Sequence, residues 1–511
     1  MKGKLVILGL DGADWRIVEP LIKRGCLPNF ATALERGSYG GLKSTIPALT
    51  PPAWTSMFTG ANPGKHGIFD FIHFEDNNVK HTSSRDVQLP YVWELMGEHK
   101  VIGFNIPTSY PPRSTKNALL VSGFPAPGED AGDEFTWPKQ LKKEIKQLIP
   151  DYQIGLKDKA HLLSDGKIAD KGIFSRLVMK NLENKIKLAK YLLENKEWDT
   201  AIVAFSATDW IQHLFMHEFV KHEKCKTDVA KVYKSIDGFL GYLIKKEYNI
   251  MIVSDHGFQE SKKKFFLNTY LKDKGYIKLR NENPLRSIMR KTGISKELIF
   301  RWPFNALYRK LIRTESILDI GRKVLPTGNM MDARDMEKTR MFLFSSSGGV
   351  YVNPKEDVYE IKNILEDCTD EKGNRMIIKA VLRESEYFGK NSHKAPVITL
   401  IPAEGVELQE KLSEDTTKKV DPRVEKNGIH DMEGIFMACG PDLIGKGRID
   451  GLQVSDIAPT MLSYFGYSIP TYMDGKTIPL FDIPEKGKST FGYETRSSIK
   501  KLLRKNKKIR I

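Results

Sequence analysis

Short apolar runs that stop at a polar or acidic residue recur along the chain. Leu5–Leu10 runs into Asp11, Val101–Phe104 into Asn105, Ala201–Phe205 into Ser206, and Ile250–Val253 into Ser254. Val397–Ile401 and Ile435–Ala438 repeat the form further on. Each run has the length of a strand, and stretches with helical patterning lie between them. Strands alternating with helices predict an α/β fold with a mostly parallel central sheet and helices on both faces. Ligands of such sheets bind beyond the carboxyl ends of the strands. Asp11 and Asp255 fall there, which locates a site before any chemistry is considered.

Two stretches break the alternation. Residues 106–180 mix proline, glycine and charge ahead of a helical run near Phe174–Glu197. Residues 262–340 read as a basic, helix-rich block without clear strands. The expected organisation is a catalytic core over 1–261 and 341–484, an insertion over 262–340 that caps the site mouth, and a basic C-terminal tail over 485–511.

Charge sharpens this picture. The 511 residues carry a net charge of +16, and Arg496 to Ile511 alone holds eight Lys/Arg and no acid. Leu285 to Val324 adds ten Lys/Arg against three acids, interleaved with Ile299, Phe300, Trp302, Phe304, Leu307 and Tyr308. Two readings stand: a solvated basic surface that steers an anionic substrate, or peripheral contact with an anionic membrane. No nucleic-acid-binding module is recognisable, so specific nucleic acid binding is not expected. The run Leu5–Leu10 is shorter than the roughly 7–15 residues of a signal-peptide core. No window approaches the ~20 apolar residues of a membrane span. Cys26, Cys225, Cys368 and Cys439 lack paired spacing and are expected to be reduced, buried thiols of a cytoplasmic protein.

Candidate chemistry begins in SATDWIQHLFMH, where Asp209 and His213 stand at i and i+4 on one helix face. A carboxylate and an imidazole so placed can grip one cation, although the pair also arises by chance. His217 continues the row and is read as a packing or surface histidine. NIMIVSDHGF ends an apolar strand in Asp255-His256-Gly257; the plain alternative is a turn built on Asp and Gly. VILGLDG repeats that arrangement with Asp11, and KNGIHDMEG places His430 in a glycine-flanked loop before a strand. Taken together, three Asp and three His can line one rim of one sheet. A mixed imidazole and carboxylate set suits Zn²⁺ or Mn²⁺ better than Mg²⁺, and six ligands suit two divalent ions. In LKSTIPALTPPAWTSMFTG, Thr50 precedes two prolines and a helical pattern over Ala53–Thr59. That puts its hydroxyl near a helix N-terminus, where amides and the helix dipole favour a phosphoryl oxygen. Plain N-capping is the competing explanation.

LGLDG, TPPAWTSMFTGANPGKHGIFDF, TDWIQH, SDHGF, GIHDMEGIFMACGP and VSDIAPTMLSYFG occur in this order up to Gly466. In that set the chain resembles the type I phosphodiesterase/nucleotide pyrophosphatase family of the alkaline phosphatase superfamily, closest to its prokaryotic phosphohydrolase and phosphomutase branch. The resemblance implies an alkaline-phosphatase-like fold and a two-metal site. One ion would be held by Asp209, His213 and His430, the other by Asp11, Asp255 and His256 with Thr50 as nucleophile and additional ligand. It implies hydrolysis of a phosphate mono- or diester through a phosphothreonine. The alternatives are a phosphomutase or phosphoryl-group transferase on the same scaffold, or an idle anion- or membrane-binding protein. One departure stands out: nucleotide pyrophosphatases of the family carry an Asn beyond HGI, where this chain has Phe69-Asp70-Phe71. That argues against nucleotide pyrophosphatase activity while leaving phosphoester hydrolysis open. TPPAW also lacks the Cys or Ser and the Arg of a sulfatase motif.

Overall fold

The computed structural model describes residues 3–75, 78–125, 134–156, 170–222, 224–279 and 334–481. The basic stretch Leu285–Val324 and the tail from Arg496 lie outside the described residues. Among those described, a ten-stranded sheet forms the centre. Its middle is parallel: Leu5–Leu10 lies between Thr200–Phe205 and Asn249–Val253, and Val101–Ile106 flanks Thr200–Phe205 on the far side. Leu10 pairs with Phe205 and Gly9 with Val253. Asp11, Ser206 and Asp255 therefore leave the sheet at one level, on the rim that the apolar runs predict.

These strands form because they have no polar alternative. All six residues of Leu5–Leu10 and of Thr200–Phe205 are buried, and each large apolar side chain so placed contributes about 1.5–3 kcal/mol. Successive residues point to opposite faces. Val6, Leu8 and Leu10 join a cluster with the helices Trp15–Lys23, Pro28–Arg36, Lys171–Asn195, Ala207–Lys221 and Asp228–Lys245. Leu5 and Ile7 face Thr50–Thr59 and Ile457–Tyr464 on the other side. Helices thus cover both faces, as expected.

Two apolar runs differ from the sequence reading. Glu433–Cys439, which contains Ile435–Ala438, enters the sheet antiparallel to both Asn249–Val253 and Ser38–Lys43. Ile398–Pro402 lies outside the central sheet, in a separate four-stranded antiparallel sheet with Met341–Leu343, Gly349–Val352 and Ile377–Leu382. A buried run carries neither direction nor partner in its composition, so the sequence pattern could not separate these cases. The block expected to lack strands also contains one, Lys263–Phe266, which pairs with Val406–Gln409 and Thr417–Lys419. Phe265, Leu267 and Leu271 pack with Phe342, Ile361 and Leu400 in a third core. Cys26 and Cys225 are bonded across a Cα–Cα distance of 6.0 Å, within the reach of a disulfide. The expectation of reduced, buried thiols therefore holds only for Cys368 and Cys439. Among the described residues no helix is long and apolar enough to cross a membrane.

One close approach links the sheet to the helix Thr50–Thr59. A Cβ at Gly9 would overlap the indole of Trp54, which is fully buried on Thr50–Thr59. Gly9→Ala is expected to destabilise the protein by about 1–3 kcal/mol through overpacking, read as a lower urea midpoint at unchanged slope. An unchanged midpoint would show that the indole has room to move.

Candidate metal centre

All seven residues singled out from the sequence come together at the sheet rim. Asp209 Oδ1 lies 3.4 Å from His213 Nε2 and 3.2 Å from His430 Nε2, and the two imidazole Nε2 atoms are 3.3 Å apart. His256 Nε2 lies 3.3 Å from Asp255 Oδ2, 3.6 Å from Asp11 Oδ1 and 3.4 Å from Thr50 Oγ1. The His256 and His430 rings stack with centroids 3.7 Å apart, joining the two halves. Ligand atoms of Asp209, His256 and His430, and separately of Asp11, Asp255 and His256, lie within 4.8 Å of one another. His256 therefore stands between the halves. The family resemblance places it with Asp11, Asp255 and Thr50.

Each side chain is aimed by backbone. Asp11 and Asp255 follow adjacent parallel strands, and Asp255 Oδ1 accepts from the Gly12 N–H at 3.1 Å. Asp209 and His213 share one face of the helix Ala207–Lys221. His430 lies on a strand, not in the loop expected: Gly428–Asp431 pairs antiparallel with Gly257–Glu260, with His430 opposite Phe258. The Phe258 ring packs edge-on to His213 with centroids 4.9 Å apart and forms one wall.

The three histidines share one device. Nδ1 of His213 faces the Gly428 carbonyl at 2.9 Å, that of His256 the Gly257 carbonyl at 3.1 Å, and that of His430 the Ala48 carbonyl at 3.0 Å. A carbonyl only accepts, so each Nδ1 carries the proton and each Nε2 turns a lone pair to the centre. Such outer partners fix the tautomer of metal-binding histidines. Burial pushes the imidazoles of His213 and His256 down, which keeps them neutral.

The carboxylates of Asp11, Asp209 and Asp255 crowd like charge into a buried space. Burial, then Asp255 and Asp209 nearby, push Asp11 well up, and burial raises Asp255 to about 7. Asp11 Oδ1, Asp209 Oδ1 and Asp255 Oδ2 are buried without a hydrogen-bond partner. Three clustered carboxylates with orphaned oxygens are costly unless a cation meets them. The donor set therefore fits divalent metal.

Thr50 opens the helix Thr50–Thr59 and is 4% exposed. Pro51 and Pro52 occupy the first turn, where a missing N–H costs little. They leave that turn fewer amide donors than the sequence reading expects: Thr50's own N–H and the helix dipole remain for a phosphoryl oxygen.

Two motif residues do other work. His66 of the HGI segment accepts from the Ile68 N–H at Nδ1 and meets Ser56 Oγ at 2.8 Å, so its Nε2–H ties two helices together, and burial lowers its pKa to about 3. Asp70 accepts from Ser345 Oγ at 2.9 Å, Ser347 Oγ at 2.6 Å and the Phe71 N–H at 2.6 Å. Those donors answer a carboxylate that burial otherwise drives up. His217, read as a packing histidine, pairs with Glu260 at 2.5 Å. Asn427, which bonds to the backbone of the helix Ala207–Lys221, carries no mark in the sequence beyond its place two residues before the Ile-His of NGIHD.

Among curated protein sequences none matches significantly. Among solved structures, phosphonoacetate hydrolase from Sinorhizobium meliloti 1021 in complex with phosphonoformate is similar, with a TM-score of 0.55 and 15% identity over 89% of this chain and 94% of that one. Its complex with phosphonoacetate gives the same TM-score of 0.55. Murine ectonucleotide pyrophosphatase/phosphodiesterase 5 reaches a TM-score of 0.49 at 13% identity, over 91% of this chain and 95% of that one. The two phosphonoacetate hydrolase likenesses concern the fold, which is alkaline-phosphatase-like. The model of the type I phosphodiesterase / nucleotide pyrophosphatase family matches residues 5–434. With that match over most of its length, the chain belongs to this family of metal-dependent phosphohydrolases in the alkaline phosphatase superfamily.

Proposed function

We propose that the protein hydrolyses phosphate esters through a phosphothreonine at Thr50, with two divalent ions, Zn²⁺ or Mn²⁺, held by Asp209, His213 and His430 and by Asp11, Asp255 and His256. The observation that carries the reading is the Thr50 hydroxyl, buried at a helix start and 3.4 Å from His256 Nε2 beside orphaned carboxylate oxygens. When bound, such ions neutralise phosphoryl oxygens and lower the pKa of a hydroxyl they contact. The Thr50 Oγ attacks phosphorus, the bond from phosphorus to the leaving alkoxide breaks, and the hydroxyl proton passes through solvent to that alkoxide, which departs as an alcohol. Water then attacks the threonine-bound phosphoryl group, restoring the threonine hydroxyl and releasing phosphate from a monoester or a phosphomonoester from a diester. The helix dipole behind Thr50 favours the charge on the phosphoryl group throughout.

Around this centre we assign 1–261 and 341–484 to the catalytic core, 262–340 to an insertion and 485–511 to a tail. The segment Phe69-Asp70-Phe71, whose Asp70 carboxylate is tied to Ser345 and Ser347, lacks the Asn that the family's nucleotide pyrophosphatases carry beyond HGI, which supports a preference for substrates other than nucleotides. The reading is tested by incubating the Zn²⁺- or Mn²⁺-loaded full chain with a panel of phosphate mono- and diesters, quenching with acid, and searching for one phosphoryl group on the Thr50 peptide. Release of phosphate from a monoester, or of a phosphomonoester from a diester, is expected with that adduct. Turnover with the phosphoryl group on another residue would overturn the assignment, and transfer to an added alcohol in place of water would identify a transferase.

A further inference from the structure

The half-site of Asp209, His213 and His430 is assembled from segments 217 residues apart, and one buried amide sits at their junction. The Asn427 N–H donates to the His213 carbonyl at 2.8 Å. Its Oδ1 accepts from the His217 N–H at 2.9 Å, and its Nδ2 donates to the Leu214 carbonyl at 2.7 Å. The His213 carbonyl and the His217 N–H are the two groups that the i to i+4 bond of a regular α-helix joins. Asn427 thus engages the helix backbone at the turn that presents His213. It is fully buried, and an amide buried at that depth is tolerated because both its donor and its acceptor are matched.

The next residue continues the contact. Gly428 offers its carbonyl to His213 Nδ1 at 2.9 Å, and a Cβ there would collide with the Gln212 carbonyl. The strand Gly428–Asp431 begins at this contact and delivers His430 two residues later. His430 in turn reaches the Ala48 carbonyl, two residues before Thr50. One chain of hydrogen bonds therefore runs from the helix through Asn427 and His430 to the nucleophile's approach.

We propose that Asn427 is a positioning residue of the metal centre: it clasps the helix Ala207–Lys221 so that His430 meets Asp209 and His213 at ligand distance. This rests on the two-ion reading above. Without the clasp, the helix amides can be satisfied within the helix itself, whereas the segment that delivers His430 loses its anchor. The loss therefore falls on metal affinity more than on folding. Outer-shell groups of this kind typically change metal affinity about 10- to 100-fold.

The test uses the full chain, stripped of metal and titrated with Zn²⁺ against a chromophoric chelator, as wild type, Asn427→Ala and Asn427→Asp. The second variant keeps an acceptor for the His217 N–H but turns an oxygen toward the Leu214 carbonyl. Wild type is expected to take up two ions. Each variant should weaken one of them by about 10- to 100-fold and leave the other unchanged. The metal-free unfolding temperature of Asn427→Ala should stay close to that of wild type, that of Asn427→Asp should fall because its oxygen meets the Leu214 carbonyl, and turnover should recover at raised Zn²⁺. Two undiminished affinities in either folded variant would overturn the role of Asn427 with the two-ion reading intact. Failure of both variants to fold would overturn it as well, by making Asn427 a residue of the fold. A wild type that binds fewer than two ions would instead sink the metal assignment.

Discussion

Thr50→Ala is expected to reduce turnover by at least about 10⁴-fold, the scale on which removal of a covalent nucleophile acts, while the protein stays folded and keeps its metal. Thr50 is 4% exposed at the start of a helix whose ten residues are all buried. Removing its hydroxyl and methyl leaves a small void, costing about 1 kcal/mol. Neither Asp11, Asp255 nor His256 depends on Thr50 for its position: the first two follow strands, and His256 is oriented by the Gly257 carbonyl. Metal content by elemental analysis should therefore change little. Thr50→Ser should retain part of the activity, because a primary alcohol can attack from the same place. Activity equal to wild type in the alanine variant, at matched metal content, would remove Thr50 as nucleophile.

Stripping the metal should abolish hydrolysis by about 10³-fold or more, since ions in such sites supply several kcal/mol of transition-state stabilisation. Zn²⁺ or Mn²⁺ should restore it better than Mg²⁺, because three imidazole nitrogens face the centre and Mg²⁺ prefers oxygen. His430→Ala should empty the half-site of Asp209 and His213 selectively. It removes a ligand 3.2 Å from Asp209 Oδ1 and also the partner of the Ala48 carbonyl. The part-buried Ala48 carbonyl loses its partner, so the approach to Thr50 should loosen as well, and the rate at saturating metal should stay below that of wild type. Titration calorimetry checks the first effect and the rate at high metal the second. Undiminished hydrolysis by a demonstrably metal-free sample would sink the two-ion mechanism.

The structure brings together every site residue that the sequence singled out, and the reason is local. A carboxylate directly after a buried apolar run has one place to go in an α/β sheet, so Asp11 and Asp255 could be assigned to the rim from a few residues each. Helical spacing marked Asp209 and His213 and the two following prolines marked Thr50 as candidates, while their joint assignment to one site rested on the family resemblance. Charge and hydrophobicity along the chain also determined that helices cover both faces. Tertiary structure decided what depends on partners far along the chain. The antiparallel entry of Glu433–Cys439, the separate sheet that takes Ile398–Pro402 and the bond between Cys26 and Cys225 all follow from which segment lies alongside. The tautomers of the three histidines are set by carbonyls at Gly428, Gly257 and Ala48, and a carbonyl is present in every residue, so no side-chain pattern announces it. Asn427 is the extreme case. Its chemistry is spent on backbone groups of a helix more than two hundred residues earlier, and only the packing of the two segments makes it different from any other asparagine before a glycine.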